Sequence, residues 1–459
     1  MEELTFEYLS NTIEKKDIAT LRSIFDEYNS VDIAELVEKL AVNKSVFIFT
    51  TVPSSLTADV FAYLSDEYKQ EIIESLKEAD LKKILKELYS DDIVDVIEEM
   101  PTNIVRKILR SVDKSVRNDI NKLLSYKDDS AGTIMNIDYI ELKQTDTCKS
   151  AIEKVRKLAS EMETISYSYV VNSKRDLIGY IALKDILKCE DDVLITDIME
   201  KDIISVNVDD DKEDVASTFK RYDLSSIAVV SKENKMLGII TSDDIIDVIE
   251  EEASEDIQKM ATMVPIEDDY FKVSAFKMFR KRIGWLIILM LASTLSAMIL
   301  NGAEQTIATV ACLATFMPMI TATAGNAGSQ TTALLIRGLS LGTIKIKDFF
   351  KALLKEISVG IMVGVCLGLA CFAWLWVEKQ LGIIEVNENT LYVFLIISIS
   401  VAIVVVVAKM IATILPLVAK MLKFDPAIMA GPLVTTIADA IAILIYFSIA
   451  KEFLLPLFN

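Results

Sequence analysis

The chain has 459 residues, with 48 Lys+Arg against 68 Asp+Glu, no histidine and a formal net charge of −20. So acidic a balance argues against nucleic acid as a partner, because phosphate binding needs clustered basic residues. Without imidazole, most general-base schemes and histidine metal sites are excluded; no residue is assigned a catalytic role, and the chain does not read as an enzyme.

The N-terminal MEELTFEYLS has no basic region followed by an apolar core, so no signal peptide is expected. Residues 1–128 read as short amphipathic helices, with apolar positions at i, i+3, i+4 and i+7 in Asp32–Leu40, Ala58–Leu64 and Asp92–Ile97. Similar helix–turn units in succession predict a right-handed or solenoid-like helical domain, without an assignable period.

Residues 129–245 hold a duplication. Gly179 and Asp185 of the first copy recur 59 residues later as Gly238 and Asp244, each within a β-α-β-β-α pattern. This resembles a tandem CBS pair. The resemblance implies that Thr241, Asp244 and Asp185 could contact the ribose of an adenosine nucleotide, with ATP as the candidate ligand. Ala182 stands where the first copy would carry its threonine.

Residues 246–275 form an acidic connector containing Glu250, Glu251 and Glu252, helical to about Met263 and ending before Pro265. Residues 276–459 contain five apolar stretches: 283–300, 306–335, 357–377, 391–417 and 427–450. Each suffices for a hydrocarbon core of roughly 30 Å. Basic residues cluster at 277–282, 337–355 and 420–423. The positive-inside rule therefore places the soluble half in the cytoplasm and the C-terminus outside. Residues 283–459 sum to +1, so the acidity belongs to the soluble half. The cysteines (Cys148, Cys189, Cys312, Cys366, Cys371) form no CxxC pair, and neither a zinc site nor a disulfide framework is expected.

Asp439 lies inside the fifth stretch with no Lys or Arg within a turn or two. A carboxylate at the centre of a span costs roughly 2.5–3.5 kcal/mol, and such residues usually face a water-filled path. Thr435 and Thr436 accompany it; Thr323, Asn326 and Gln330 share one face of the second stretch. Helix packing through polar side chains is the competing reading of these five.

The string Gly325-Asn-Ala-Gly-Ser-Gln330, then Asp425-Pro-Ala, Pro432 and Asp439, resembles MgtE-type magnesium channels, as does the domain order over essentially the whole chain. The resemblance implies a helical N domain, a CBS pair, a connecting plug helix and five transmembrane helices, assembled as a homodimer in the lipid bilayer of a bacterial inner membrane. It implies Mg²⁺ binding at Asp439, with Asn326, Gln330, Thr323, Thr435, Thr436 and Gly431 lining the pore. Gly431 departs from the asparagine common there, leaving backbone carbonyls in place of an amide. The resemblance also implies gating by cytoplasmic Mg²⁺ on Asp91, Asp95, Glu213, Asp223, Asp244, Asp247, Glu252, Glu255 and Asp256, which could otherwise form a solvated acidic face. An ion-coupled secondary transporter of another divalent cation and a non-transporting CBS membrane sensor are the alternatives.

Overall fold

The computed structural model describes residues 4–98, 100–266, 270–271, 273–309, 312–382, 390–429, 431–454 and 456. They fall into two units, Met1–Ile249 and Glu250–Asn459.

The first unit opens with ten helices: α1 Phe6–Glu14, α2 Ile18–Glu27, α3 Ser30–Val37, α4 Val42–Thr51, α5 Ser54–Ala62, α6 Asp66–Ser75, α7 Glu78–Glu87, α8 Ser90–Glu98, α9 Thr102–Ser111 and α10 Lys114–Leu123. Each begins 12 residues after the last. The links are short and capped: the Asp17 side chain accepts from Thr20 N–H, Asn29 accepts from Val31 N–H, and Pro53 and Pro101 stand at N-caps. Burial repeats with the same step, since Ile24, Ile48, Val60, Ile72, Ile84, Val96, Ile108 and Ile120 are each at most 2% exposed. Helices pack on the next but one, α3 on α5, α5 on α7, α7 on α9, and α4 on α6. This is a solenoid whose repeat is a single helix. Its period escapes the sequence because repeat architectures are usually sought at about 20–50 residues. Polar substitutions also blur it. Ser45, Thr57 and Lys69 fill the row occupied elsewhere by Leu9, Leu21, Ile33, Leu81 and Ile93, and all are buried. Ser45 shares a 2.7 Å hydrogen bond with Tyr68, and Lys69 pairs with Asp66 at 3.5 Å.

The duplication follows. Its first copy has β1 Glu141–Lys143, α11 Cys148–Leu158, β2 Tyr167–Val171, β3 Leu177–Ala182 and α12 Leu183–Lys188. After α13 Ile195–Ile198 come β4 Ser205–Asn207, α14 Lys212–Arg221, β5 Ser226–Val230, β6 Met236–Thr241 and α15 Ser242–Met260. Each sheet pairs its first two strands in parallel and its last two antiparallel. The register matches too: Val170 faces Gly179 as Val229 faces Gly238. The copies share a core of Tyr169, Val171 and Leu177 with Ala228, Val230, Met236 and Ile239.

One expectation is corrected here: Cys148 and Cys189 are joined as a disulfide. The β-α-β-β-α path brings them together, because Thr147 pairs with Leu194 and the Cys148 N–H donates to the Val193 carbonyl. Sequence spacing carries no trace of that return.

In the second unit, α16 Ala275–Ala292 and α17 Thr294–Gly302 form the first apolar run, then α18 Glu304–Thr309 leads to α19 Cys312–Ser340. α20 Phe349–Gln380, α21 Thr390–Met421 and α22 Pro432–Phe453 complete it. Among the described residues four segments are long and apolar enough to cross a membrane: Ala275–Gly302, Ile346–Gln380, Thr390–Met421 and Pro426–Phe453. The remaining expected stretch falls on α19, 29 residues long, whose Thr, Ser, Asn and Gln residues dilute its apolarity. α19 packs on α21 and α22, and α21 on α20 and α22. Residues 383–389, in the expected outer loop, lie outside the described residues.

Candidate ion path and regulatory carboxylates

α19 and α22 meet through small residues. A Cβ on Gly325 would lie 2.8 Å from Thr435 Cγ2 and 3.8 Å from Asp439 Oδ1; one on Gly328 would lie 3.2 Å from Val434 Cγ1. Asp439 Oδ1 is shielded from solvent and has no hydrogen-bond partner among the described residues. An unsatisfied buried acceptor normally costs about 1–3 kcal/mol, more when charged.

The threonines behave differently. Thr323 donates to the Met319 carbonyl at 2.7 Å, Thr435 to Gly431 at 3.0 Å and Thr436 to Pro432 at 2.7 Å. Their protons serve their own helices, and only their oxygen lone pairs remain to offer a cation. Asn326 and Gln330 are exposed, and neither makes a hydrogen bond among the described residues. The structure thus joins Thr435 and Asp439 to Gly325. It does not bring Asn326 or Gln330 onto Asp439.

The end of α15 is latched beneath these helices. Lys259 Nζ lies 2.7 Å from Asp425 Oδ2 and 2.5 Å from Glu255 Oε1, and Ser340 at the end of α19 donates to Asp256 at 3.0 Å. Burial works against the charge on Lys259, but hydrogen bonds to Asp425 and Glu255 outweigh it and hold its ammonium above the usual lysine range. Burial raises the Asp256 carboxyl, with Ser340 opposing. Gly431 caps α22 at φ +48°, and a Cβ there would collide with the Met260 carbonyl oxygen. The glycine therefore serves close backbone approach as well as its left-handed conformation. Gly431→Ala is expected to cost about 1–3 kcal/mol. It should also release the end of α15, read as faster tryptic cleavage after Lys259 in the purified protein.

In the first unit α8 presents Asp91, Asp92 and Asp95 beside Asp138, Glu163 and Asp244. Asn136, fully buried, donates to Asp91 Oδ1 and to Glu163 Oε2, both at 3.1 Å. Burial, reinforced by Asp92, Asp244 and Glu163, pushes the Asp91 carboxyl up to about 9. Burial likewise raises Asp92 to about 6, Asp95 to about 7 and Glu163 to about 7. Asp138 is raised by burial against the hydrogen bonds from Ser90, and Asp244 by burial against those from Thr241. No three carboxylates among the described residues close into a ready-made ligand set.

Thr241 Oγ1 lies 2.7 Å from Asp244 Oδ2, so the two residues expected at a nucleotide are bonded to one another. Asp185 sits half-buried on α12; Glu213 and Asp223 are exposed at the start of α14 and just after it. On α15, Asp247 is exposed and Glu252 half-buried. Asp138, Glu163, Asn136, Lys259 and Ser340 were not singled out in the sequence. Apart from Lys259, which also pairs with Glu255 one helical turn away, each has its partner far along the chain, and no local motif marks it.

Several apolar helices, one carrying a shielded carboxylate oxygen with no hydrogen-bond partner among the described residues, following a duplicated β-α-β-β-α module in the chain, define a multi-pass membrane protein. Residues 317–449 match the MgtE family described as divalent cation transporters, 28–129 match the MgtE intracellular N domain, and 195–251, the second copy, match the CBS domain. The chain is 31% identical over 439 residues to the magnesium transporter MgtE of Bacillus subtilis, covering 95% of this chain and 94% of that protein. The magnesium transporter MgtE of Thermus thermophilus is 29% identical, over 98% of this chain and 99% of that protein. The chain belongs to the MgtE family. A crystal structure of the soluble part of a magnesium transporter aligns with TM-score 0.52 at 30% identity, over 54% of this chain and 98% of that one. The cytosolic domain of the Mg²⁺ channel MgtE in complex with ATP aligns with TM-score 0.50 at 29% identity, over 53% of this chain and all of that one.

Proposed function

We propose that the protein is a Mg²⁺ channel for magnesium uptake, opened and closed by cytoplasmic Mg²⁺. The observation that carries the reading is the shielded Oδ1 of Asp439, which has no hydrogen-bond partner among the described residues and faces Gly325 of α19. In a homodimer two symmetry-related Asp439 carboxylates would face a shared path between α19 and α22. Hard oxygen donors and a charge of two suit Mg²⁺, which is usually held by one or two carboxylates through retained waters. Asn326 and Gln330, exposed on the single chain, would complete the wall of that path. The membrane potential supplies roughly 2.3 kcal/mol per charge per 100 mV, so a divalent ion needs no further energy source to enter.

Gating rests on the raised carboxylates. Asp91, Asp92, Asp95, Glu163 and Asp244 are held close against mutual repulsion, and divalent cations among them would relieve it. α15 carries the chain from this unit to the latch at Asp425, Ser340 and Gly431, which is the route proposed for the signal. The domain limits proposed are 1–128, 129–245, 246–275 and 276–459, with the N-terminus cytoplasmic and the C-terminus outside. ATP is proposed as a ligand of the CBS pair through Thr241, Asp244 and Asp185.

The test is flux through purified protein in liposomes while Mg²⁺ on the side of the soluble half is stepped. Uptake should fall as that Mg²⁺ rises into the millimolar range and should not follow a Na⁺ or H⁺ gradient. Uptake driven by either gradient in place of the Mg²⁺ gradient would establish a coupled transporter instead.

A further inference from the structure

A second buried charge system lies in the second unit, away from Asp439. Lys409 on α21 is 4% exposed, and its ammonium donates to Thr331 Oγ1 at 2.9 Å. Thr331, on α19 and fully buried, donates in turn to Glu356 Oε2 on α20 at 2.9 Å, and Lys409 Nζ stands 3.5 Å from the same oxygen. One hydroxyl is therefore acceptor from α21 and donor to α20. Glu356 supplies the opposite charge that Asp439 lacks.

α20 and α21 are themselves closely packed. A Cβ on Gly364 would lie 2.6 Å from the Ala402 carbonyl oxygen, and one on Gly368 2.9 Å from that of Ser398. Gly360 leaves room for the Lys409 stem, with its Cβ position 3.5 Å from Lys409 Cδ. Small residues at such spacing let helix backbones approach closely. α19 meets this pair through the Thr331 hydroxyl, next in sequence to Gln330. Buried ion pairs add little net stability, and their best-attested use is to fix register.

We propose that Lys409, Glu356 and Thr331 form an intramembrane clasp that sets the rotation of α19 about its axis, making them positioning residues for ion passage. The proposal rests on the reading that α19 lines the ion path. Consecutive helical residues differ by about 100° in azimuth, so a modest rotation of α19 would move Asn326 and Gln330 off the path.

The test places single cysteines at Asn326 and Gln330 in a background whose native cysteines are replaced by alanine. Labelling by a water-soluble thiol reagent, with and without Mg²⁺, is measured in the otherwise unchanged chain, then with Thr331→Val or Thr331→Ser. With the clasp, Thr331→Val keeps the protein monodisperse, lowers labelling at Gln330→Cys and cuts Mg²⁺ flux by about tenfold, while Thr331→Ser restores both. Unchanged labelling and flux in Thr331→Val would overturn the clasp. If neither cysteine labels even with Thr331 intact, the reading of α19 as pore wall fails instead, and the clasp with it. A second arm uses Lys409→Met alone and with Glu356→Gln. The single change leaves an unpaired carboxylate, so the double change should recover yield without recovering flux. Recovery of full flux by the double change would also overturn the proposal.

Discussion

Asp439→Ala is expected to lower Mg²⁺ flux in proteoliposomes by at least about 100-fold, which corresponds to roughly 2.7 kcal/mol of lost ion stabilisation. The same change should raise thermal stability, because it removes a shielded oxygen that has no hydrogen-bond partner among the described residues. Opposite movement of function and stability separates an ion ligand from a packing residue, whose loss lowers both. Asp439→Asn tests charge against shape, since the amide keeps the volume and gains a donor. It should lose flux nearly as fully as alanine. Flux within about threefold of the unaltered protein in either variant is too small a change, roughly 0.7 kcal/mol, for a central ligand and would move the ion site elsewhere.

The second large effect concerns the carboxylates around α8. Their folded pKa values stand above those of free carboxyls, at about 9 for Asp91, 7 for Asp95 and Glu163, and 6 for Asp92. A carboxyl raised in this way stabilises the folded state below its unfolded pKa, and the contribution disappears as pH rises through the folded value. Without divalent ions, the first unit should therefore lose stability between about pH 4 and pH 9. Mg²⁺ should restore it, weakly at pH 5 and strongly at pH 8, because ion and proton compete for the same oxygens. Calorimetry of the full protein at several pH values, with and without Mg²⁺, reads both trends. Asp91→Asn with Glu163→Gln should flatten the pH dependence and shift inhibition by cytoplasmic-side Mg²⁺ at least about tenfold upward in concentration. Stability that rises with pH in the absence of Mg²⁺, or an unshifted inhibition curve in the double variant, would remove this cluster from the gate.

How legible these features are in the sequence depends on how local they are. The CBS duplication is visible because both copies keep the same spacing from Gly179 to Asp185 and from Gly238 to Asp244. Asp439 is visible because charge within an apolar run needs no partner to be noticed. Asp92, which the sequence did not single out, joins its neighbour Asp91 in the cluster. Asn136 and Glu163 could not be read out: a bridge between α8 and a loop some 70 residues later leaves no periodic trace. Lys409 was legible in principle. A lysine in a run as apolar as α21 is as costly as Asp439, but it finds its counter-charge on another helix, where sequence offers no pairing rule. Gly431 was noted as a departure from asparagine; that the Met260 carbonyl occupies the space of its side chain required coordinates.

The helices of the first unit start every 12 residues and are joined by links too short to absorb slack. A lost or gained residue in one link would turn every later helix by part of a revolution and expose a row that is now mostly buried. Deleting or duplicating two whole helices would preserve the pairing, since α3 on α5, α5 on α7 and α7 on α9, like α2 on α5, α4 on α7 and α6 on α9, repeat at every second helix. Length variation in this region is thus quantised: relatives should differ here by whole pairs of helices, with all other insertions confined to the two ends.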